Sequence, residues 1–175
     1  LRYKIASDIA AGMAFAHSLN PPILHRDLKS PNILLCAPIQ IIMAGNINFS
    51  QPVAKVADFG MSLKLTGDSL RVAEGGVLDR INPFWVSPEI LSKNSYETAS
   101  DVYSMGVILW ELGKRTFPAE GEFPSEFVQA IVSCVRMTIP PEWDAEYTRL
   151  IEDCWQLYPS LRPPFSEILR RIEEI

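Results

Sequence analysis

The first eighteen residues carry apolar side chains in a helical pattern. These side chains recur at spacings of three and four, at Ile5, Ile9, Met13 and Ala16. Because such spacing places them on one helix face, we predict an α-helix over Leu1–Ser18. The following Asn20-Pro21-Pro22 should end it, since proline cannot continue the helical hydrogen bonds.

Two short apolar runs, Ile33–Cys36 and Val53–Ala57, have the length and composition of β-strands. We predict that they pair as a hairpin. The sixteen residues 37–52 would form its loop, which is long for a hairpin. One interpretation is a surface insertion, since loop closure costs only about 0.6 kcal/mol per doubling of length. An extra strand or a docking segment is the alternative.

Later apolar stripes predict further helices. The clearest one, Ser100–Leu112, has Val102, Met105 and Leu109 on its apolar stripe, with Ser100 placed to cap its start. Three more are predicted over 124–135, 146–157 and 164–175, separated by proline-rich joints. The pattern predicts one mainly α-helical domain with a small β-hairpin, and no internal repeat.

Composition narrows the function classes. A formal net charge of −5 over 175 residues argues against a nucleic-acid-binding surface. The three cysteines show no CxxC spacing, so we expect reduced thiols and a cytoplasmic location rather than a disulfide framework or a zinc site. The chain opens on Leu1 inside an amphipathic pattern, and we expect it to be part of a longer protein. Membrane association is left open for that reason.

The candidate chemistry lies in two short tracts, His25-Arg26-Asp27-Leu28-Lys29-Ser30-Pro31-Asn32 and Asp58-Phe59-Gly60. Phosphoryl transfer needs a group that orients the attacking hydroxyl, a cation near the moving phosphate and oxygen ligands for Mg²⁺. Asp27 suits the first role and Lys29 the second. Asn32 and Asp58 supply hard oxygen donors for the metal. We expect Gly60 to provide the backbone bend that turns Asp58 inward.

These tracts, followed by Ser87-Pro88-Glu89, Asp101–Gly106 and Leu161-Arg162-Pro163, resemble the C-terminal lobe of a eukaryotic protein kinase. The Ser-Pro-Asn ending, Trp85 and Cys154-Trp155 are similar to the tyrosine-kinase-like group, nearest to mixed-lineage, Raf-like and Roco-type kinases. The resemblance covers nearly the whole chain. It implies a mainly α C-lobe over residues 1–175 with the hairpin at the active site, and an N-terminal lobe that is absent from the chain.

The same resemblance implies ATP and Mg²⁺ as cofactors and a protein as substrate. Asp27 and Lys29 would be catalytic, Asn32 and Asp58 would hold the metal and the nucleotide, and Leu34 would form the apolar floor under adenine. Plain strand core is the alternative for Leu34. A lysine two residues after the catalytic aspartate, as Lys29 is here, resembles serine/threonine kinases rather than tyrosine kinases.

Other positions resemble structural parts of that family. Glu89 and Arg162 match a buried ion pair, and Asp101 matches a helix-start carboxylate that holds the catalytic-loop backbone. His25 and Phe59 match an apolar column behind the active site, where His25 is expected to be a hydrogen-bonded core residue.

By the same resemblance, Arg26 implies that a negative charge on the activation segment, residues 58–89, controls kinase activity. Asp79 is one candidate for a permanent charge there, and phosphorylated Thr66 or Ser69 is the alternative.

Two other functions are consistent with the sequence. Ile81 and Asn82 replace the Gly-Thr that the family usually carries, whose threonine bridges the catalytic aspartate and lysine. This departure favours a pseudokinase that serves as a binding or scaffold module. The intact Asp27, Asn32 and Asp58 favour an enzyme. A small-molecule phosphotransferase is a third interpretation, although such enzymes usually lack the Ser-Pro-Glu and the Asp101–Gly106 helix.

Overall fold

A computed structural model describes residues 1–38, 41, 44, 50–67, 70–71, 83–93, 95–118 and 131–175. Its helices are α1 (Arg2–Ser18), α2 (Pro88–Lys93), α3 (Thr98–Lys114), α4 (Ala145–Cys154) and α5 (Phe165–Glu174). Its short strands are β1 (Ile23–Leu24), β2 (Ile33–Leu35), β3 (Ala54–Val56), β4 (Leu63–Lys64), β5 (Leu70–Arg71) and β6 (Ser95–Tyr96). The mainly α fold with a small hairpin is therefore confirmed.

The core is built around α3. Every residue of α3 from Ser100 to Glu111 is buried, so this helix is surrounded by protein on all sides. Helix α1 packs against α5 and β3, and α4 packs against α3. Gly106 allows the last contact, because a Cβ there would lie 2.9 Å from the Cβ of Cys154. Among the described residues, no helix combines the length and the apolar character needed to cross a bilayer.

Within the described part of the chain, the strands pair as three antiparallel ribbons, β1 with β4, β2 with β3 and β5 with β6. The predicted hairpin is β2–β3, in which Ile33 lies opposite Val56 and Leu35 opposite Ala54. Each strand is shorter than predicted, although the backbone N–H of Cys36 still donates to the carbonyl of Val53 at 2.9 Å. These hydrogen bonds fix the position of the His25–Asn32 tract, which precedes β2, relative to the Asp58–Gly60 tract, which follows β3.

Helix α1 holds the end of this hairpin that adjoins the connection between its strands. One Asp8 carboxylate oxygen accepts the backbone N–H groups of Val53 at 2.7 Å and Ala54 at 3.2 Å. The other oxygen accepts from the Lys4 ammonium at 2.8 Å. The returning strand is therefore held by a helix that does not belong to the hairpin.

Several helix ends differ from the prediction. Helix α3 begins at Thr98 with Glu97 as its N-cap, so the assignment of Ser100 as the cap is wrong. Ser100 occupies the third helical position, where its hydroxyl accepts from the Glu97 backbone N–H at 3.2 Å. This is the side-chain-to-cap contact of a capping box. Helix α4 ends at Cys154, three residues before the predicted end at Leu157.

Some predictions fall largely outside the described residues. The insertion at 37–52 is described only at Ala37, Pro38, Ile41, Ala44 and residues 50–52. The helix predicted over 124–135 is described only from Ile131 onward. Ser69, Asp79, Ile81 and Asn82 lie outside the described residues altogether.

Candidate active site

The catalytic-loop candidates lie between β1 and β2, and three of them are in direct contact. The Lys29 ammonium lies 2.7 Å from one carboxylate oxygen of Asp27 and 2.9 Å from the other. The Asn32 amide nitrogen donates to the Asp27 backbone carbonyl at 2.8 Å and to its carboxylate at 3.1 Å. One carboxylate, one cation and one amide thus form a single polar cluster.

Asp58 is linked to this cluster by the backbone of the hairpin. The backbone N–H of Ala57 donates to the carbonyl of Asn32 at 2.8 Å, which places Asp58 beside the end of the catalytic loop. Asp58 is exposed, and its carboxylate accepts from the Gly60 N–H at 3.3 Å. The structure therefore brings both predicted metal ligands to the same end of the hairpin.

The backbone bend at this turn lies at Asp58 itself, which has φ 60° and ψ 64°. The expectation that Gly60 supplies the bend is therefore wrong. Gly60 instead provides room, because a Cβ there would lie only 3.1 Å from the Asp58 carboxylate oxygen. An aspartate tolerates this left-handed conformation better than most residues.

The donor set suits Mg²⁺. The amide nitrogen of Asn32 is directed at Asp27, so its amide oxygen is the atom that would serve as a ligand. That oxygen and the Asp58 carboxylate are hard donors, and Mg²⁺ usually takes one or two protein ligands together with substrate phosphates and water.

Leu34 lies in the middle of β2 and is 56% exposed. The alternative of plain strand core is therefore wrong for this side chain. Its neighbour Leu35 lies on the opposite face of the strand, because successive side chains of a β-strand alternate. The exposed side chain of Leu34 is compatible with the predicted contact with adenine.

The structural residues implied by the resemblance make the expected contacts. The two carboxylate oxygens of Asp101 accept the backbone N–H groups of His25 at 2.8 Å and Arg26 at 3.0 Å. The fully buried His25 ring is hydrogen-bonded to the Ala57 carbonyl at 3.0 Å, so it is a satisfied core histidine. Its ring centroid lies 4.7 Å from that of Phe59.

The predicted ion pair between Glu89 and Arg162 is also present. Its two hydrogen bonds are both 2.8 Å long, and both residues are buried. Burial alone would raise the pKa of the Glu89 carboxyl, but the bonds and charge of Arg162 outweigh it and lower that pKa below 4.5. Ser100 adds a bond to the same carboxylate at 2.9 Å.

Arg26 contacts the start of the activation segment. Its Nε–H donates to the carbonyl of Met61 at 2.5 Å, and its guanidinium lies 5.3 Å from the centre of the Tyr96 ring. Thr66 is exposed. The three regulatory candidates, Thr66, Ser69 and Asp79, stay predictions.

Glu111, near the end of α3, is a buried polar residue beside the site that the sequence did not predict. Its carboxylate accepts from the Ser30 hydroxyl at 2.8 Å and from the Trp85 indole N–H at 2.9 Å. Burial raises the pKa of Glu111 to about 7, although the bonds from Trp85 and Ser30 act in the opposite direction. The available signal was the spacing of Asp101, Ser104 and Glu111, which are polar positions on the same face of a largely apolar helix.

The comparisons with known proteins agree with this geometry. A family model described as protein tyrosine and serine/threonine kinase matches residues 2–172. Cyclic GMP-binding protein C of Dictyostelium discoideum is 42% identical over 100% of the chain. Probable serine/threonine-protein kinase roco8 of the same organism is 41% identical over 98% of the chain. Serine/threonine-protein kinase CTR1 of Arabidopsis thaliana is 39% identical over 96%.

The chain spans only 6%, 9% and 18% of the length of these three relatives. The match nevertheless covers nearly all of the present chain, including the catalytic-loop tract, the Asp58 turn and the ion pair at the helical base. The chain therefore belongs to the protein kinase family, as a domain of the tyrosine-kinase-like type.

Proposed function

We propose that the chain provides the phosphoryl-transfer site of an ATP- and Mg²⁺-dependent protein serine/threonine kinase. The observation that carries the proposal is the direct contact of Asp27, Lys29 and Asn32, with Asp58 held beside them through Ala57. These groups match the requirements of phosphoryl transfer in number and in kind.

Each side chain has a role in the proposed reaction. The Asp27 carboxylate accepts a hydrogen bond from the acceptor hydroxyl and orients it toward the γ-phosphate. The Lys29 ammonium, adjacent to that carboxylate, offsets the negative charge of the moving phosphate. Asn32 and Asp58 would hold Mg²⁺, which neutralises the phosphate oxygens when it is bound.

The exposed face of Leu34 supports a nucleotide position above β2. Adenine would lie on this side chain, and the opposite wall of the cleft would come from an N-terminal lobe outside residues 1–175. The serine/threonine preference is supported by Lys29 and by the names of the relatives roco8 and CTR1. The cytoplasmic location stays a prediction.

The test is Asp27→Asn in the full-length natural protein. We expect the transfer rate to fall by about 10²–10⁴-fold, the usual contribution of a positioned acid–base group. ATP affinity should change little, because Asp27 serves the acceptor. Asp153→Asn is the control, since the partly exposed Asp153 of α4 pairs with Arg171 of α5 and not with a member of the polar cluster. Full activity of Asp27→Asn, or a wild-type protein that binds ATP without transferring phosphate, would contradict the proposal.

A further inference from the structure

Several buried polar residues lie along one face of helix α3, and three of them contact the segments around the active site. Asp101, Ser104 and Glu111 are separated by three and seven positions, so they share that face. Their exposed fractions are 3%, 8% and 7%. Buried polar groups cost stability unless they are hydrogen-bonded. Their bonding partners therefore show which parts of the protein this face organises.

The first and last of these residues hold opposite ends of the catalytic loop. Asp101 binds the backbone N–H groups of His25 and Arg26, and Glu111 binds the Ser30 hydroxyl at 2.8 Å. Ten helical positions separate the two carboxylates, which corresponds to about 15 Å along the axis. Asp27 and Lys29 lie in the loop between these two attachment points.

Glu111 also holds the residue that leads into Ser87-Pro88-Glu89. Its second carboxylate oxygen accepts the Trp85 indole N–H at 2.9 Å. The Trp85 backbone carbonyl accepts from the Ser104 hydroxyl at 2.7 Å. Trp85 is thus fixed to α3 through both its side chain and its backbone. A single carboxylate joins the catalytic loop to the end of the activation segment.

We propose that Glu111 is a positioning residue for phosphoryl transfer, which holds the Asp27–Lys29 part of the catalytic loop in register with the segment that ends at Trp85. This inference rests on the proposed kinase function. It places Glu111 on the acceptor side of the reaction. The proposed metal ligand Asn32 has, besides its bonds to Asp27, a bond to the hairpin from the Ala57 backbone N–H, which Glu111 does not contact.

Substitutions can separate the two hydrogen bonds of Glu111, one from Ser30 and one from Trp85. Glu111→Ala removes both hydrogen bonds. Glu111→Gln can keep both, because its amide oxygen accepts from Trp85 while its amide N–H donates to a reoriented Ser30 hydroxyl. Ser30→Ala removes only the bond to the catalytic loop and leaves the contact between Glu111 and Trp85 in place.

The experiment uses the full-length natural protein, a peptide acceptor and MgATP. We expect Glu111→Ala to lower kcat about tenfold or more, as expected for losing hydrogen bonds to a charged group. The Kd for MgATP should stay within about twofold. Glu111→Gln should stay within about threefold of wild-type kcat, because it preserves both bonds. Ser30→Ala should lower kcat severalfold, and it should add little to Glu111→Ala because both remove the same bond.

Amide hydrogen exchange provides a readout that does not depend on transfer. Glu111→Ala and Ser30→Ala should both speed exchange at residues 28–31, while Glu111→Gln should not. Glu146→Ala is the matched control, because this exposed carboxylate pairs only with Arg149 among the described contacts. It should change neither exchange at residues 28–31 nor kcat.

The outcomes separate this inference from the proposed function. A wild-type protein that transfers no phosphate overturns the kinase proposal, whatever the exchange data show. Unchanged exchange at residues 28–31 in Glu111→Ala overturns the attachment to the loop. A third outcome is that Ser30→Ala leaves kcat unchanged while Glu111→Ala lowers both the melting temperature and the affinity for MgATP. That combination shows that Glu111 only supports the packing of Trp85.

Discussion

The buried carboxylate of Glu111 should make the stability of the domain depend on pH. Its pKa lies at about 7 in the folded protein, against 4.5 as the ordinary value. Between these pH values the folded protein holds one proton more than the unfolded chain. The free energy of unfolding therefore falls as the pH rises through this window.

The size of the effect follows from the shift. At about 1.4 kcal/mol per pH unit, a pKa change from 4.5 to about 7 corresponds to roughly 3 kcal/mol. Glu111→Gln removes the titration while keeping the shape and the two hydrogen bonds. We expect the variant to match wild type at pH 4.5 and below, and to be more stable by roughly 3 kcal/mol at pH 8.

The measurement is urea denaturation of the full-length protein and its Glu111→Gln variant at several pH values between 4.5 and 8. The difference between the two proteins isolates Glu111, since all other groups titrate in both. Glu146→Gln is the control and should show no pH-dependent difference, because Glu146 is exposed. A stability difference for Glu111→Gln that stays constant across this range would refute the reasoning.

Three further results are expected. Arg162→Ala should lower the free energy of unfolding by about 3–5 kcal/mol, because it leaves the Glu89 charge buried without its partner. The matched Arg170→Ala removes only exposed ion pairs and should leave the free energy of unfolding nearly unchanged, so equal losses in the two variants would contradict the assignment. Asp58→Ala should abolish the Mg²⁺-dependent tightening of ATP binding in a titration with and without the metal, and retained tightening would exclude it as a ligand. Phosphoamino-acid analysis of a peptide library should give phosphoserine and phosphothreonine, as Lys29 indicates, and dominant phosphotyrosine would refute that preference.

The sequence predicted those parts of the site that are encoded in short continuous tracts. Asp27, Lys29 and Asn32 lie within six residues of one another, and the turns between them leave few ways to separate them. The hairpin that brings Asp58 next to the catalytic loop could also be predicted. A run of β-branched and apolar residues follows the first tract, and another precedes the second. The Glu89–Arg162 pair came from the resemblance alone, since 73 positions separate its members.

The parts that could not be predicted depend on tertiary contacts or on backbone detail. Glu111 reads as a charged residue near the end of an amphipathic helix, and only the packed structure shows that Ser30 and Trp85 cover it. Ser100 has the residue type of a cap, but the chain starts the helix two residues earlier and uses its hydroxyl at the third position. The sequence suggested that Gly60 makes the backbone bend, and it gave no sign that Asp58 itself adopts the left-handed conformation.

The anchoring of β3 by Asp8 has a consequence for how this domain can be altered. Because α1 holds Val53 and Ala54 directly, the position of the Asp58 turn does not depend on the length of chain that joins the two strands. Lengthening that connection adds only about 0.6 kcal/mol per doubling. The exposed residues 50–52, just before that anchor, are therefore a suitable place for a reporter peptide or an epitope tag that leaves the Asp58 turn in position.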